Sequence, residues 1–444
     1  MSRGDILVQC IKAFESAGIR TCILHGYETY PDYIPSDVDF VVAPRDLMRI
    51  PPILKQIEQA TGARLVQAIQ HEITSYAFIL SCSDPAGGLA FLQLDAASDY
   101  RCIGRIFFRA HEFLHSRRRF GPFWVSAPDL EFGYYLVKKV AKGSLEQKHA
   151  IYLSRLYHKD PRGCQQQAYR LWPKDSAKKI IQAASSHDWT DVMANLPIMR
   201  RRLLQKIALI NPLGVLIYWC GEVVRWFKRW VLPTGLLVAF LGPDGSGKST
   251  IIPRVKRDLL PAFHRAFYKH LRPYLLGAIN INKDVGPVTN PHGKQTYSKF
   301  ASILKLLYLL VDYTLGYQLR VRPKLVRKTL VLFDRYYYDL LVDPRRYRYG
   351  GPVWLARLVA RFIPRPDLVI LLDAPPEVLQ KRKQEVSFEE TARQREAYLR
   401  LMQNMPNGYV VDASKPLDEV IAEVQRIILN YMAERTARRL GLKG

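Results

Sequence analysis

The 444 residues are too many for one ordinary hydrophobic core, so two or three domains are expected. Hydrophobic residues make up 48% of the chain, which excludes a disordered polypeptide, and the net charge of +26 favours anionic partners. The basic residues are spread over every segment without a nucleic-acid-binding motif, so nucleic acid is not an expected partner. Six scattered cysteines and an N-terminus without a secretory signal lead us to expect a cytoplasmic protein.

Three short strands are predicted near the N-terminus, at 21–24, at 38–42 and within 91–100. Asp37 and Asp39 stand at positions i and i+2, so their side chains face the same side of a strand. Asp95 on the third strand is the candidate for a further carboxylate. Such hard oxygen ligands suit Mg²⁺, so these three aspartates form a candidate metal site.

The segment 25–39, together with Asp95, resembles the nucleotidyltransferase superfamily over residues 18–100. The resemblance implies an α+β domain, which we place at 1–128, with the three aspartates as metal ligands. Tyr27 replaces the serine with which that superfamily holds a triphosphate. Three interpretations therefore stay open: an active nucleotidyltransferase, a domain that only binds or docks, and a turn that merely caps a strand.

Two helical segments separate this domain from the C-terminal half. Apolar residues at spacings of three and four predict a helical appendage at 129–202. The segment 203–233 is predicted as a basic amphipathic linker helix that carries Trp226 and Trp230 and ends at Pro233. The linker helix is too short and too charged to span a bilayer. It can clamp the two halves as a core helix, which we favour, or lie on an anionic membrane at the cytoplasmic face.

The C-terminal half begins with a phosphate-binding loop. Leu236–Leu241 is a continuous apolar run that predicts a buried parallel strand. The next residues fit G-x-x-x-x-G-K-[ST], in which glycines turn backbone N–H groups towards phosphates and a helix N-terminus favours negative charge. Lys248 is expected to reach the phosphates of ATP, and Ser249 to hold Mg²⁺. The loop's predicted nucleotide-binding residues are Gly242, Gly245, Ser246, Gly247, Lys248, Ser249 and Thr250.

Three further strands, within 330–339, 368–383 and 408–429, alternate with helices. This order indicates an α/β domain with a parallel sheet flanked by helices and ligands at the carboxyl ends of the strands. Together with the phosphate-binding loop, these segments resemble the thymidylate kinase family of P-loop kinases over about 234–430. The resemblance implies a P-loop kinase domain, which we place at 234–444.

The resemblance also implies roles for individual residues. Asp244 would contact the acceptor, Asp334 would lie near Mg²⁺, and Ser414 would complete the nucleotide site. The predicted catalytic set, in which the last three arginines close over the phosphates as a lid, is Lys248, Asp334, Arg335, Arg382, Arg393 and Arg395. The alternative for the lid is a solvated basic face of a helix.

The acceptor side departs from the family. The segment 270–273 stands where the family has Arg-Glu-Pro, Asp312 lacks the family's adjacent arginine, and 339–352 is rich in Arg and Tyr where the family has a glutamine. A site that recognises a nucleotide base by hydrogen bonds discriminates poorly between bases when such partners are missing. Arg and Tyr side chains, in contrast, suit phosphates and sugars. The candidate acceptor residues are Asp244, Arg272, Arg345 and Arg348. The alternative for the Arg- and Tyr-rich segment is a surface loop.

The sequence therefore predicts a phosphotransferase that uses ATP and Mg²⁺. We expect an anionic or sugar-bearing acceptor, such as a sugar or a lipid-linked glycan of a surface polysaccharide, rather than thymidylate. The N-terminal domain would make the enzyme bifunctional if it transfers nucleotides. One alternative is a nucleoside monophosphate (thymidylate) kinase with an accessory domain, and another is a polyanion- or membrane-binding ATP switch without turnover. The sequence does not determine the oligomeric state.

Overall fold

The structure is a computed structural model that describes all residues except 85–86, 103, 211, 276–291, 294 and 443–444, with the backbone alone for 205–210. The chain divides into two compact units. The N-terminal unit comprises Met1–Trp226 and Ala433–Gly444, and the C-terminal unit comprises Phe227–Met432. The finer four-part division expected from the sequence stays a prediction.

A mixed sheet forms the centre of the N-terminal unit. Its described strands are β1 (Cys22–Ile23), β2 (Val38–Val41), β3 (Arg64–Glu72), β4 (Ser75–Ser83), β5 (Leu89–Ala97), β8 (Arg118–Phe120) and β9 (Phe123–Val125), in the order β3-β4-β5-β2-β1-β9-β8. A separate hairpin consists of β6 (Tyr100–Cys102) and β7 (Arg105–Phe108). The predicted strands are confirmed, and the parallel pairing of β2 with β5 sets Asp39 directly beside Asp95.

Helices pack around this sheet and extend beyond it. The first four are α1 (Arg3–Ser16), α2 (Ile50–Gln56), α3 (Glu58–Thr61) and α4 (Ala110–Ser116). The segment predicted to be helical contains α5 (Pro128–Lys142), α6 (Gln147–Lys159), α7 (Pro161–Leu171), α8 (Lys174–Ser186), α9 (Thr190–Ala194) and α10 (Leu196–Ile210). Their apolar faces share one core, in which Trp189 is 2% exposed and donates its indole N–H to Ser154 Oγ at 2.8 Å.

The linker helix is α11 (Pro212–Val231). Its inner face packs on β3 and the hairpin: a Cβ on Gly221 would collide with Ile73, and the Arg225 guanidinium donates to the carbonyl of His71. The opposite face is apolar, with Leu213, Leu216, Ile217, Val223, Val224 and Val231 each at least half exposed. Among the described residues of α11 none is buried, so α11 is not a core helix, and its expected role as a clamp between the two halves stays a prediction.

The C-terminal unit is built on a parallel sheet, as predicted. Its strands among the described residues are β10 (Leu236–Leu241), β11 (Arg265–His270), β12 (Thr329–Asp334), β13 (Leu368–Asp373) and β14 (Gly408–Asp412), in the order β11-β12-β10-β13-β14. The central strand β10 is buried along its whole length between β12 and β13. All these strands run in one direction, so their carboxyl ends meet at one edge of the sheet.

Helices flank the parallel sheet. They are α12 (Lys248–Leu259), α13 (Lys299–Gly316), α14 (Arg322–Val326), α15 (Tyr338–Val342), α16 (Val353–Ala360), α17 (Pro376–Arg382), α18 (Phe388–Gln403) and α19 (Leu417–Leu440). Among the described residues, one helical stretch, Lys299–Val326, is long and apolar enough to cross a membrane by length and composition alone. A third of its most apolar window is buried within the protein.

Candidate active site

The phosphate-binding loop connects β10 to α12 in the conformation that its glycines permit. Gly242, Gly245 and Gly247 adopt φ values of +146°, +82° and +88°. A Cβ would lie 2.7 Å from the carbonyl oxygen of Leu372 at Gly242, and 2.7 Å from that of Leu379 at Gly245. The backbone can therefore approach its neighbours closely only because these positions are glycine.

Lys248 is buried at the start of α12, with 7% of its surface exposed. Its Nζ donates to the carbonyls of Gly242 at 2.7 Å and Pro243 at 2.8 Å, and to Ser246 Oγ at 3.0 Å. Burial, with the nearby Arg335, lowers the pKa of Lys248 to about 8. The ammonium group thus lies inside the loop, while Ser249 and Thr250 are exposed one step further along the helix.

Asp334 ends β12 next to the phosphate-binding loop. Its Oδ2 accepts from Tyr268 at 3.1 Å and lies 3.5 Å from His270 Nδ1. Its Oδ1 is buried and has no hydrogen-bond partner among the described residues. Burial alone would raise the pKa of Asp334, but His270 and Lys248 lower it below its ordinary value, so the carboxylate is ionised. An ionised, unpartnered oxygen beside a glycine-lined loop fits a divalent cation bound to nucleotide phosphates.

Arg335 is buried and adopts a φ of +69°, which is unusual for a side chain with a Cβ. Its backbone N–H donates to the Phe240 carbonyl of the neighbouring strand at 2.9 Å. Its guanidinium contacts Asp244 of the loop, and lies 3.4 Å from Asp339 Oδ1. Arg346 contacts the second oxygen of Asp244, so this carboxylate holds two arginines at the loop.

A cavity of about 440 Å³, here called the tyrosine cavity, opens beside Asp334. Its described lining consists of Leu271, Arg272, Tyr297, Ala301, Leu304, Lys305, Tyr308, Leu309, Tyr313, Tyr337, Leu340 and Tyr347. The N–H of Leu271 donates to the Asp334 carbonyl at 2.8 Å, which joins the cavity to the end of β12. Arg272 and Lys305 are the two cations of this described lining, so the tyrosine cavity suits a ligand with one anionic end.

Both cations are held in place by tyrosines. Arg272 donates to the Tyr308 hydroxyl, stacks 4.4 Å from the Tyr274 ring centroid, and lies 3.5 Å from the fully buried Asp312. Lys305 donates to the Tyr347 carbonyl, and burial, with Arg348 and Arg272, lowers its pKa to about 8.

The three predicted lid arginines bond to protein groups around the carboxyl edge of the sheet. Arg395 forms two hydrogen bonds of 2.9 Å with Asp373 at the end of β13. Arg382 donates to the Ala413 carbonyl at 2.9 Å, and Arg393 bonds to Glu390 and to the Val342 carbonyl. Ser414 lies at the end of β14, where its hydroxyl donates to Asp412 Oδ1 at 2.5 Å.

The two predicted acceptor arginines of the Arg- and Tyr-rich segment lie in different places. Arg348 stacks 4.1 Å from the ring centroid of Tyr297, which lines the tyrosine cavity. Arg345 is exposed and lines a separate cavity next to α18. It is their neighbour Arg346 that contacts the loop, through Asp244.

The sequence interpretation did not include Lys305 or Tyr308 in the site. With Asp312 they stand at positions i, i+3 and i+7 of α13, so a helical pattern puts them on one face. It also did not include a group of possible metal ligands, His292, Asp343 and Glu390, whose ligand atoms lie within 4.8 Å of one another. Arg393 and Gln394 already bond to these carboxylates, which leaves little free ligand capacity there.

In the N-terminal unit the structure brings Asp39 and Asp95 together, with Asp37 exposed just before β2. Asp39 Oδ2 accepts from Lys138 at 2.9 Å and lies 3.1 Å from His25 Nε2. Burial opposes ionisation of Asp39, but these two partners lower its pKa well below its ordinary value. Burial and the neighbouring Asp39 raise the pKa of Asp95 to about 7.

Tyr27, which replaces a serine of the nucleotidyltransferase pattern, points into the core. It is 1% exposed and donates to Glu131 Oε2 at 2.9 Å, while Arg118 donates to its hydroxyl at 2.5 Å. Burial raises the pKa of Glu131 to about 7. Tyr27 therefore holds a buried carboxyl group rather than presenting a hydroxyl to a phosphate.

Comparison with known proteins places the C-terminal unit in a family. Residues 240–424 match the family model for thymidylate kinase. The probable thymidylate kinase 1 of Saccharolobus solfataricus is 30% identical over 203 residues, which are 43% of this chain and 96% of that protein. The thymidylate kinase of Bacillus cereus is 30% identical over 211 residues, 44% of this chain and 97% of that protein.

This chain belongs to the thymidylate kinase family. A crystal structure of thymidylate kinase from Ehrlichia chaffeensis aligns with 16% identity and a TM-score of 0.33, over 44% of this chain and all of that one. As a family member the protein is a P-loop phosphotransferase, and the predicted ATP and Mg²⁺ are those the family uses. The expected sugar or glycan acceptor finds no support in these relatives, and the family model leaves residues 1–239 unmatched.

Proposed function

We propose that the C-terminal unit transfers the γ-phosphoryl group of ATP to the phosphate of a nucleoside monophosphate, with thymidylate as the first acceptor to test. One observation carries the proposal: the phosphate-binding loop, Asp334 and Arg335 converge at one edge of the sheet, beside a cavity that holds two cations. The names of the relatives favour thymidylate.

The chain's own residues act by positioning and charge. When ATP binds, the Lys248 ammonium would donate to the β- and γ-phosphate oxygens instead of the loop carbonyls. Arg335 would neutralise the negative charge that spreads over the transferred phosphoryl group. Ser249 and the unpartnered oxygen of Asp334 would hold Mg²⁺, which would offset the negative charge of the phosphates. Arg382, Arg393 and Arg395 would leave their present protein partners to close over the nucleotide, with Ser414 at its edge.

On the acceptor side, Arg272 and Lys305 would bind the monophosphate, and the tyrosine rings would pack against the nucleoside. Asp244 would position Arg335 and Arg346 between the two substrates. Arg348 would shape the entrance of the tyrosine cavity through its contact with Tyr297. Arg345 would contact phosphates only from the side of α18. An acceptor phosphate oxygen then attacks the γ-phosphorus, and ADP leaves.

An assay with γ-labelled ATP and Mg²⁺ tests this function against dTMP, the other nucleoside monophosphates, sugar phosphates and lipid-linked glycans. We expect dTDP to be the main product. If dTMP accepts no label while another acceptor does, thymidylate is excluded as the substrate. If no acceptor is labelled although ATP binds, the protein is an ATP switch without turnover.

A second candidate acceptor is a sugar-bearing phosphate. The described lining of the tyrosine cavity contains no Asn, Gln, Asp, Glu, Ser or Thr, so hydrogen bonds to a base edge would have to come from tyrosine hydroxyls or backbone. Tyrosine faces bind sugars well. The same acceptor panel separates the two candidates.

Lys305 makes acceptor binding depend on pH. With a pKa of about 8 instead of 10.5, its ammonium is largely protonated at pH 7 and neutral at pH 9. A nucleoside monophosphate is a dianion throughout this range, since its second pKa is about 6. We expect the KM for dTMP to rise about fivefold to tenfold from pH 7 to pH 9. In Lys305→Arg, which stays charged, the KM should not change with pH. An equal rise in both proteins would exclude this role.

We further propose that the N-terminal unit binds a divalent cation through Asp37, Asp39 and Asp95 and transfers a nucleotidyl group. The register pairing of Asp39 with Asp95 supports a shared cation. Lys138 contacts the same oxygen of Asp39, so the alternative, a docking domain in which lysine replaces the metal, stays open.

With α-labelled nucleoside triphosphates, Asp39→Asn should lower label transfer about 100-fold or more. The exposed Asp32→Asn is the control, and an absence of any labelled product would leave docking as the role.

The exposed apolar face of α11 supports peripheral contact with an anionic membrane. Its large side chains flank the exposed Lys228, and the whole chain carries a charge of +26. Phosphatidylserine-containing vesicles should sediment the protein, and neutral vesicles should not. The double variant Leu216→Asn with Ile217→Asn should bind more than about tenfold more weakly. Ile151→Asn with Leu260→Asn, also exposed, is the control, and equal binding by the two double variants would exclude α11.

A further inference from the structure

A second cavity lies on the C-terminal unit between α16 and α18, with a volume of about 910 Å³. Five arginines belong to the part of its lining that the structure describes, and we call it the arginine cavity. Its described lining consists of Tyr338, Leu341, Val342, Arg357, Ala360, Arg361, Arg365, Arg393, Glu396, Ala397, Arg400, Leu401, Asn404, Met405, Pro406 and Asn407. It shares no described lining residue with the tyrosine cavity.

The charges in the arginine cavity are unbalanced. Arg393 is paired with Glu390, and Arg400 with Glu396, the one acidic residue of the described lining. The guanidinium groups of Arg357, Arg361 and Arg365, on and just after α16, form no ion pair or side-chain hydrogen bond with any residue that the structure describes. The described lining thus carries five arginines and one glutamate, so its cations repel one another, and an anion there relieves this repulsion.

The rest of the lining is apolar. Leu341, Ala360, Ala397, Leu401 and Met405 contribute to it, and Tyr338 supplies an aromatic ring. The volume lies within the range of pockets that hold small organic molecules. A ligand that fits both parts carries phosphate groups and an apolar or aromatic portion. Guanidinium groups bind phosphate with paired hydrogen bonds.

We propose that the arginine cavity is a second ligand site, which binds an organic phosphate with at least two phosphoryl groups. Its position gives it a regulatory role, which goes beyond the proposed function. Residues 393, 396, 397, 400 and 401 of α18 face the cavity. From another side of the same helix, Tyr398 donates to Asp339 Oδ1 at 2.6 Å, and Asp339 contacts Arg335. A ligand that fixes α18 therefore acts on the helix that supports the catalytic arginine.

Calorimetry with inorganic tripolyphosphate tests the site without any turnover. The full chain is first saturated with Mg²⁺ and a non-hydrolysable ATP analogue, which occupies the phosphate-binding loop. We expect a further binding event that weakens at least about tenfold in the double variant Arg361→Gln with Arg365→Gln, because two charge-assisted phosphate contacts are lost. The control, Arg265→Gln with Arg327→Gln, removes the same charge from exposed positions at the start of β11 and just before β12, outside the described lining of the arginine cavity, and should bind like the wild type.

Two results would overturn the proposal: no second binding event in the wild type, or equal binding by the two double variants. Amide hydrogen exchange supplies an independent measurement, in which tripolyphosphate should protect residues 388–403 in the wild type and the control but not in the Arg361/Arg365 variant. Because neither measurement uses an acceptor, the site can be confirmed or rejected whether or not the protein phosphorylates thymidylate.

Discussion

Replacing Lys248 with alanine is expected to lower phosphoryl transfer about 100-fold to 1,000-fold, the usual cost of removing one preorganised group that stabilises transition-state charge. The ammonium is buried within the loop, so no neighbouring cation can take its position. The measurement is the initial rate of labelled product from γ-labelled ATP with saturating acceptor. We expect kcat to fall more than the acceptor KM changes, because Lys248 faces the donor phosphates.

The control for this variant is Lys256→Ala, which removes the same charge from the last turn of α12. It should retain the wild-type rate. A Lys248→Ala protein that keeps more than half of the activity would exclude the loop as the catalytic centre. Equal ATP binding by both variants, together with a wild type that forms no product, would instead indicate the switch without turnover.

Replacing Arg335 with methionine is expected to remove activity and to destabilise the C-terminal unit. The substitution keeps much of the side-chain volume but leaves the carboxylates of Asp244 and Asp339 without their buried cation. Breaking a buried ion pair costs about 3 kcal/mol or more, which corresponds to a drop of about 6–12 °C in Tm for a unit of this size. Thermal unfolding followed by circular dichroism measures the change.

The pH dependence distinguishes this loss from a simple packing defect. Asp244 has a strongly lowered pKa, since Arg335 and Arg346 outweigh the effect of burial. The ion pairs of Asp244 therefore stabilise the folded protein at a pH above the ordinary carboxyl pKa. This stabilisation is lost as the pH falls towards the lowered pKa of Asp244 in the folded protein. The difference in Tm between wild type and Arg335→Met should therefore shrink below about pH 4. The control, Arg327→Met at an exposed position, should unfold like the wild type at every pH. A constant difference across this range would contradict the ion-pair explanation.

The local pattern of the sequence was enough to predict the parallel sheet and the phosphate-binding loop. Leu236–Leu241 is apolar without interruption because both faces of β10 are covered, and the glycine spacing after it reflects conformations that other residues rarely adopt. The helices at 129–202 were predictable for a similar reason, since their apolar spacing matches the period of an α-helix.

The pairing of charged side chains could not be predicted in this way. Arg345, Arg346 and Arg348 are chemically alike and adjacent in sequence, yet only Arg346 contacts Asp244, because the turn after α15 directs each side chain elsewhere. The exposure of α11 could not be predicted from the sequence either. An amphipathic pattern indicates that one face of the helix is apolar, but not whether another element covers that face.

The sequence by itself thus determined the elements and the chemistry of the loop, because backbone conformation and strand burial depend on residues close together along the chain. The tertiary structure alone decided which cations meet which carboxylates, that Lys305 joins Arg272 in one cavity, and that three arginines near α16 line a cavity with α18 without an ion pair to any described residue. These relations join residues far apart in sequence, and only the packed fold fixes the distances on which their electrostatic energies depend.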